Sequence, residues 1–375
     1  MRVDLCAGAG GFDVALDSLG LPGAVGLEGD AAACATRAAA GHLTIRTDIA
    51  TYPVEPFAGR VSDLIGGPPC QSISDAGKRA GQKQMPLLLA AVDRCRDGWT
   101  DAALDFPWSD PRTPLILQVL RWAWGCRPQR IAMEQVRGAL AVWERMAGVL
   151  RGWGYAADAR VLCAADYGVP QTRHRAFLLA SLDRVRWPEP THERAPVPDM
   201  FGPGRERWVT MAAALGWGSA RQWVLRHNSA DPRRPRGADG VQRARAEDGS
   251  DYYLRFSGDA PAPTLTGQAH SWVFERPAPT VVGSFSPDIV ACPTGRRQAG
   301  KLVSRQNTPG SVRITLREAS ILQSFPPDYP WQGIKGDRFQ QCANGVPPRL
   351  AAHVIAALLG LPAPASRPEP LPSTR

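Results

Sequence analysis

A cysteine stands at position 70, directly behind two glycines and two prolines in the run GGPPCQSIS (Gly66–Ser74). The apolar run Asp63–Ile65 before it predicts a buried strand, so Cys70 would lie on a stiff loop at a strand end. A thiol held in this way can act as a nucleophile, because the thiolate is the most nucleophilic common side chain. The same pattern also fits an inert buried cysteine beside a turn. This run alone does not decide between the two interpretations.

A second candidate site is the glycine-rich run AGAGG (Ala7–Gly11), which follows the apolar run Val3–Leu5. Glycines let the backbone turn tightly and approach a ligand without a Cβ in the way. The spacing is not GxGxxG, so a dinucleotide site is a poor fit. Glu28 and Asp48 follow later in the chain, and by themselves they could equally be surface carboxylates.

Taken together and in order, these runs resemble the motifs of the DNA (cytosine-5) methyltransferases. The resemblance covers nearly the whole chain, and the ordered set is far more specific than any single block. The matching blocks are VDLCAGAGGFDVAL (Val3–Leu16), Glu28, Asp48 with Ile49, GGPPCQSIS, MEQV (Met133–Val136), QTRHR (Gln171–Arg175), RITLREASILQSFPPDY (Arg313–Tyr329) and ANGVPPRLAAHV (Ala343–Val354).

The resemblance implies a catalytic set of four residues. Cys70 would add to carbon 6 of cytosine, which makes carbon 5 nucleophilic enough to accept a methyl group. Glu134 would bond ring nitrogen 3 as a protonated or proton-sharing acid, with a pKa raised by burial. Arg175 would bond the carbonyl oxygen of the base. Arg173 would support the site or a phosphate, and general phosphate contact is the alternative for both arginines.

The resemblance also implies S-adenosyl-L-methionine as the cofactor. The glycine-rich turn would hold its methionine part, Glu28 its ribose hydroxyls and Asp48 its adenine amino group, with Ile49 and Phe12 as apolar walls. The expected contacts are Ala7, Gly8, Gly10, Gly11, Phe12, Glu28, Asp48, Ile49, Pro68 and Asn344.

Two residues depart from the family pattern. Gly29 stands where the family usually has a bulky residue, which predicts weaker stacking on the adenine. Gln135 replaces the usual asparagine after the catalytic glutamate, so it would hold the catalytic loop differently.

The bulk composition is that of an ordinary globular protein, with 375 residues, 44% hydrophobic and 21% charged. The net charge of +9 suits a polyanionic partner such as double-stranded DNA. Residues 184–310 hold 18 Lys and Arg against 12 Asp and Glu, so most of the excess lies there; a solvated basic face is the alternative. The eight cysteines form no CxxC pair, so we expect free thiols in a reducing cytoplasm and no metal site. No signal peptide and no apolar stretch that could span a bilayer is apparent.

Alternating strand and helix patterns predict an α/β fold, a doubly wound, mostly parallel sheet with a second, smaller β-rich domain. The expected strands are Val3–Leu5, Ala24–Leu27, Asp63–Ile65, Arg130–Met133 and Ala176–Ala180. The expected helices are Phe12–Leu19, Ala31–Ala40, Met85–Val92, Leu115–Trp124, Val142–Trp153, Leu316–Gln323 and Leu350–Leu359. The ligand loops would converge at the carboxyl ends of the strands.

We predict a catalytic and cofactor-binding domain at 1–183 and a small target-recognition domain at 184–330. Residues 331–362 would pack back on the first domain, and 363–375 would be a disordered tail. Within the recognition domain, PAPTLTG (Pro261–Gly267) and PAPTVVG (Pro277–Gly283) are near copies, which indicates two similar strand-and-turn units; a proline-rich linker is the alternative.

In the family, the catalytic loop that begins with GGPPCQSIS continues into an acidic residue, any residue and an arginine, which lead into a helix. Here that pattern appears only at Asp110–Arg112, so residues 82–109 are interpreted as an insertion in this motif. An inert surface excursion is the favoured interpretation. Extended contact with DNA beside the target base is the other.

The sequence thus indicates a monomeric DNA (cytosine-5) methyltransferase that acts on a flipped-out base. Three alternatives remain. One is an RNA methyltransferase of the same build, although the tripeptide CFT of that subfamily is absent. The others are a catalytically silent DNA-binding relative and a nicotinamide oxidoreductase. Neither the recognised DNA sequence nor an accompanying restriction endonuclease can be deduced.

Overall fold

The structure is a computed structural model that describes residues 1–69, 84–196, 204–216, 261–262 and 315–365 in full. Between 224 and 313 it also describes the backbone of short strands, at 224–228, 242–245, 252–257, 263, 273–275, 297–298, 301–302 and 311–313.

The central element is a seven-stranded sheet in the order β3-β2-β1-β4-β5-β8-β6, in which only β8 runs antiparallel to its neighbours. Its strands are β1 (Arg2–Leu5), β2 (Val25–Glu28), β3 (Thr44–Arg46), β4 (Asp63–Gly66), β5 (Arg130–Val136), β6 (Ala156–Cys163) and β8 (His174–Ser181). The fold class and all five predicted strands of this sheet are confirmed.

The described helices comprise those that cover this sheet and those that follow it in the chain. They are α1 (Gly11–Ser18), α2 (Ala31–Ala39), α3 (Met85–Asp93), α4 (Gln118–Cys126), α5 (Leu140–Gly152), α6 (Met211–Leu215), α7 (Leu316–Leu322), α8 (Lys335–Asn344) and α9 (Pro348–Leu359). None of the helices in the described part of the chain is long and apolar enough to cross a membrane.

Neighbouring residues of the central strands point into different cores, as pleating requires. Leu64 and Ile131 belong to a cluster shared with α3, α4 and α5, whereas Ile65 and Ala132 belong to one shared with α1 and α9. The sheet is therefore covered on both faces, which explains the continuous apolar runs in β4 and β5.

The remaining strands are short and mostly antiparallel. They are β7 (Gln171–Thr172), β9 (His192–Glu193), β10 (Glu206–Arg207), β11 (Val224–Asn228), β12 (Gln242–Arg245), β13 (Tyr252–Ser257), β14 (Ala262–Pro263), β15 (Val273–Glu275), β16 (Arg297–Gln298), β17 (Lys301–Leu302) and β18 (Ser311–Arg313). Five of them form an antiparallel sheet in the order β12-β13-β11-β15-β18. This sheet lies within the segment predicted to be a separate β-rich domain.

The first PAPT repeat begins with β14, which pairs in parallel with β7 of the main domain. Ala262 is fully buried, and its N–H donates to the carbonyl of Pro170 at 2.8 Å. Residues 264–267 of this repeat and all of the second repeat lie outside the described residues.

The segment after this sheet returns to the main domain. Thr36 Oγ1 donates to Gln341 Oε1 at 2.6 Å, and Gln332 N–H donates to the Thr36 hydroxyl at 2.8 Å. The start of α9 meets α1 so closely that a Cβ on Gly11 would overlap the carbonyl oxygen of Val346. The contacts match the predicted return of this segment, and residues 366–375 of the predicted tail lie outside the described residues.

The first part of the predicted insertion, the helix α3, is not a surface excursion. Leu88, Val92 and Cys95 are fully buried in the same cluster as α4 and α5. Trp153 Nε1 donates to the carbonyl of Arg96 at 3.0 Å, so this part lies near the amino ends of the strands. The helix α3 is thus part of the main core, because it supplies an apolar face that the sheet and α5 cover. Apart from Cys95 and Ala103, residues 94–109 are exposed or half-buried.

Candidate active site

The carboxyl ends of β1, β2, β4 and β5 meet at one edge of the sheet. The parallel registers pair Leu5 with Leu27 and with Gly66, and Gly66 with Met133. Gly66 must be a glycine, since a Cβ there would lie 2.5 Å from the carbonyl oxygen of Leu5. The turns that follow these strands are consequently neighbours, as the sequence predicts.

After β1, the backbone folds into a tight turn at Cys6–Gly10. Cys6, Gly8 and Gly10 have positive φ values of 54°, 53° and 94°. The Gly10 N–H donates to the carbonyl of Ala7 at 3.0 Å and closes the turn. The turn leads directly into α1, whose start carries no side-chain cap. Such a helix start attracts a carboxylate group.

The Glu28 carboxylate lies against this turn. Its Oε2 accepts the N–H of Gly8 at 2.7 Å, and its Oε1 accepts the N–H of Asp30 at 2.8 Å. Burial raises the pKa of the Cys6 thiol, and the carboxylates of Glu28, Asp4 and Asp48 add to this effect. The structure therefore brings the turn, Glu28 and Asp48 together, as predicted.

The expected apolar walls are less accessible than the carboxylates. Asp48 is exposed, and its Oδ1 accepts the N–H of Ala50 at 2.9 Å. Ile49 and Phe12 are 3% and 2% exposed, and each packs into a hydrophobic cluster. A Cβ on Gly29 would meet only the carbonyl oxygen of Thr47, at 3.4 Å. The neighbourhood of Glu28 thus has room for a ligand where the family usually carries a bulky side chain.

The catalytic turn begins at Gly67 and Pro68, and Cys70 itself lies outside the described residues. Pro68 is buried, and its carbonyl accepts Gln135 Nε2 at 2.8 Å. Gln135 Oε1 in turn accepts the N–H of Val136 at 2.7 Å. Gln135 therefore holds in place the backbone that leads to Cys70.

Glu134 projects from β5 beside this turn. It is 6% exposed, and a Cβ on Gly67 would lie 3.5 Å from its Oε2. Arg175 Nε forms an ion pair with Glu134 Oε1 at 2.8 Å. Burial raises the pKa of Glu134, and the positive charges of Arg175 and Arg173 oppose but do not cancel that rise. A carboxyl group with a raised pKa and a bound guanidinium can share a proton with a substrate nitrogen.

Arg173 is 1% exposed and faces inward. Its NH2 donates to the carbonyl of Gly345 at 3.3 Å, which also accepts Gln323 Nε2 at 2.6 Å. Gln323 Oε1 accepts Gln171 Nε2 at 2.8 Å. These bonds join the block QTRHR (Gln171–Arg175) to the last two matching blocks, Arg313–Tyr329 and Ala343–Val354.

Asn344 ends α8 next to Gly345, and its side chain is exposed. Its Oδ1 accepts Gln340 Nε2 at 2.8 Å. The side chain is thus held on the helix surface beside the segment that contacts Gly11 and Gly67.

Three residues that the sequence left without a role hold the backbone of the ligand turns. Arg121 donates to the carbonyl of Ile49 and, at 3.0 Å, to that of Tyr52. Arg37 NH1 donates to the carbonyl of Ala7 at 3.5 Å, and Tyr329 donates to that of Ala9. Tyr329 lies in a recognised motif block, but a bond to a carbonyl 320 positions away leaves no trace in one sequence.

Within the described ranges, no cluster of histidine, cysteine or carboxylate side chains could hold a metal ion. The turn amides, the start of α1 and the paired acceptors of Glu28 instead fit a ligand with a carboxylate and a diol. S-adenosylmethionine carries both groups.

A model of the C-5 cytosine-specific DNA methylase family matches residues 1–92 and 107–360. Relatives include the type II methyltransferase M.AplI of Arthrospira platensis, 26% identical over 95% of this chain and 84% of its own length. M.NgoMIV of Neisseria gonorrhoeae is 25% identical over 94% of this chain and 95% of its own length.

Two solved structures share the fold at low identity. A mutant form of Dnmt2 of Spodoptera frugiperda gives a TM-score of 0.58 at 16% identity, covering 96% of this chain and 99% of its own. Dnmt2 of S. pombe gives a TM-score of 0.54 at 14% identity, covering 96% and 98%.

The fold is that of an S-adenosylmethionine-dependent methyltransferase, with S-adenosylmethionine as the methyl donor. The chain belongs to the C-5 cytosine-specific DNA methylase family. Its reaction is the transfer of a methyl group from S-adenosylmethionine to carbon 5 of cytosine in DNA. The family resolves the choice against a nicotinamide oxidoreductase and favours DNA over the RNA alternative.

Proposed function

We propose that this chain methylates a flipped-out cytosine in double-stranded DNA through a covalent adduct between Cys70 and carbon 6. The observation that carries the proposal is the buried Glu134–Arg175 ion pair beside the Gly67–Pro68 turn. Gly67 and Pro68 shortly precede Cys70 in the chain. A base in the pocket would therefore meet the thiol of Cys70, the carboxyl group of Glu134 and the guanidinium of Arg175 together.

The proposed roles follow from these positions. Cys70 adds to carbon 6 as its thiolate, while Glu134 shares its proton with ring nitrogen 3 and so disperses the negative charge of the ring. S-adenosylmethionine supplies the electrophilic methyl group that carbon 5 accepts. Loss of the carbon-5 proton then re-forms the ring double bond and expels Cys70. Arg175 stays at the carbonyl side of the base, and buried Arg173 holds Gly345 in place.

Replacement of Cys70 tests this mechanism. Cys70→Ala should abolish methyl transfer and leave S-adenosylmethionine binding unchanged, because the thiol forms the bond but does not hold the cofactor. The wild type should form a denaturation-resistant adduct on DNA with 5-fluorocytosine, since fluorine cannot leave as a proton does. Cys163→Ala is the matched control and should form the adduct normally. Methyl transfer by Cys70→Ala above a trace would end the covalent proposal.

We infer that residues 184–330 form the target-recognition domain. The antiparallel sheet from Val224 to Arg313 and the net charge of the segment support this role. Substitutions within 259–286 should change which cytosines are methylated. Charge removal at Arg233, Arg234 and Arg236 should weaken binding to all sequences and flatten its salt dependence. Mapping the methylated sites measures the change in target sequence, and measuring DNA affinity across a salt series measures the loss of phosphate contacts. If the variants within 259–286 methylate the same target sequence as the wild type, recognition lies elsewhere in the chain.

Because Leu88, Ala91 and Val92 are buried in the main core, the apolar face of α3 is a poor candidate for contact with DNA. The nearer candidate is Pro107–Ser109, since Gln84, at the end of the catalytic loop, donates to the Pro107 carbonyl at 2.8 Å and accepts from Ser109 N at 3.1 Å.

We propose further that the protein acts as a monomer in the cytoplasm beside a cognate restriction endonuclease. Size-exclusion chromatography and a search for nuclease activity on unmethylated host DNA test these points.

A further inference from the structure

The carbonyl groups of the Ala7–Gly11 turn point into the protein. The Ala7 carbonyl accepts the Gly10 N–H at 3.0 Å and Arg37 NH1 at 3.5 Å. The Ala9 carbonyl accepts the hydroxyl of Tyr329. Arg37 belongs to α2, beside the turn, whereas Tyr329 comes from the far end of the chain. The peptide that joins Ala9 to Gly10 is thus held by a side chain that follows the antiparallel sheet of Val224–Arg313 in the chain.

Tyr329 itself is rigidly packed. It is 8% exposed, and its ring lies 5.0 Å from that of Phe325 and 4.8 Å from that of Trp331. Trp331 is fixed in turn, because its Nε1 donates to Ser320 Oγ at 2.8 Å. Burial raises the pKa of the Tyr329 phenol, so it keeps the proton that it donates. The packed ring therefore holds the hydroxyl in one position, from which it donates to the Ala9 carbonyl.

Gly10 shows how closely Tyr329 supports the turn. Its φ of 94° lies in the left-handed region, and a Cβ there would be 2.9 Å from the Tyr329 oxygen and 2.8 Å from His42 Cδ2. No side chain fits between the turn and the two rings. The shape of the turn at Gly10 thus depends on the hydroxyl against which it rests.

We propose that Tyr329 is a positioning residue for S-adenosylmethionine. Its hydroxyl fixes the Ala9–Gly10 peptide, and this keeps the start of α1 and the contact between Gly8 and Glu28 in the arrangement that binds the cofactor. The proposal rests on the placement of the cofactor at the Ala7–Gly11 turn. It also makes cofactor affinity depend on the Arg313–Tyr329 block, which lies at the end of the proposed recognition domain.

Tyr329→Phe removes only the donor and tests the proposal. The matched control is Tyr155→Phe, because Tyr155 is also buried and donates to a backbone carbonyl, that of Pro128, at 2.8 Å. That bond lies at the amino ends of the strands, away from the site. Both variants should lower the urea midpoint. Only Tyr329→Phe should weaken binding of S-adenosylhomocysteine, by about tenfold as expected for a buried acceptor left without its donor.

Steady-state kinetics add a second measurement. Tyr329→Phe should raise KM for S-adenosylmethionine by about tenfold and leave kcat at saturating cofactor within about twofold. Equal cofactor affinity in the wild type, Tyr329→Phe and Tyr155→Phe would overturn the proposal. Gly10→Ala tests separately whether the cofactor binds at the turn. If Gly10→Ala folds and binds S-adenosylhomocysteine as the wild type does, the Ala7–Gly11 turn is not the cofactor site.

Discussion

Glu134 illustrates how the chemistry of one residue depends on two opposing effects. Removal from water favours the neutral carboxyl, and the guanidinium of Arg175 at 2.8 Å favours the carboxylate. Burial dominates, so the pKa is raised. The ion pair orients the group, and burial keeps the proton available for a ring nitrogen.

Glu134→Gln keeps the shape of this side chain and removes its proton. We expect a loss in kcat of about two to four orders of magnitude, the usual scale for a general acid. Single-turnover methylation with saturating DNA and cofactor measures it. Glu144→Gln, on the exposed side of α5, should leave the rate unchanged. A near-normal rate in Glu134→Gln would mean that another group activates the ring.

At the same scale, the sequence identified the site by residue type but not its supports. Glu28 and Glu134 directly follow the predicted strands Ala24–Leu27 and Arg130–Met133, which can be inferred from their apolar runs. Asp48 follows β3, which was not predicted, and was singled out by the family resemblance alone. The donors Arg121, Arg37 and Tyr329 act on backbone carbonyls. Any residue type presents a carbonyl, so nothing in a single sequence marks these bonds.

At the scale of elements, the helices were predicted where their apolar residues repeat strongly. The elements that the sequence missed lack such a signal. Among them are β3, which has three residues and is partly exposed, β6 at the sheet edge, the five-residue α6, and α8, whose residues KGDRFQQCAN are mostly polar. Packing against their neighbours decides these elements rather than local pattern. The main-core role of α3 was missed for a related reason, because an inserted helix and a surface helix have the same composition.

The contact between α1 and the start of α9 gives a prediction about stability. Gly11→Ala would force a Cβ into the Val346 carbonyl, and we expect a loss of about 1–3 kcal/mol in the free energy of unfolding. Gly336→Ala, in α8, would meet open space and should instead stabilise by up to about 1 kcal/mol. Urea unfolding of both variants measures the difference. Equal effects would show that α9 can shift away from α1 at no cost.

At the scale of the whole molecule, stability should fall in mild acid. His353 in α9 is 1% exposed, and neither of its ring nitrogens has a hydrogen-bond partner in the described part of the chain. Burial, with the positive charges of Arg349 and His192, lowers its pKa to about 4. Burial also lowers the pKa of His192, although the Glu206 carboxylate opposes this.

The unfolded chain takes up these protons near pH 6.5, before the folded chain does. The stabilisation from a neutral His353 is therefore complete above pH 6.5 and is lost progressively as the pH falls towards 4. A pKa depressed to about 4 corresponds to about 3 kcal/mol over this interval. Urea unfolding between pH 7 and pH 5 should show the decline, and His353→Leu should flatten it. An equal slope in His353→Leu would assign the acid sensitivity to other groups.

The pairing of β7 with β14 has a consequence for the order in which this chain folds. It joins backbone positions separated by about 90 residues, so the entropy of closing so long a loop opposes it until both strands are in place. The pairings of the central sheet span at most 67 residues and are supported by a large apolar core, so this sheet can form earlier. Refolding should therefore give the central sheet first and this junction last, and the junction should open first under mild denaturant, with the Ala262 amide exchanging its hydrogen faster than the amides of β4.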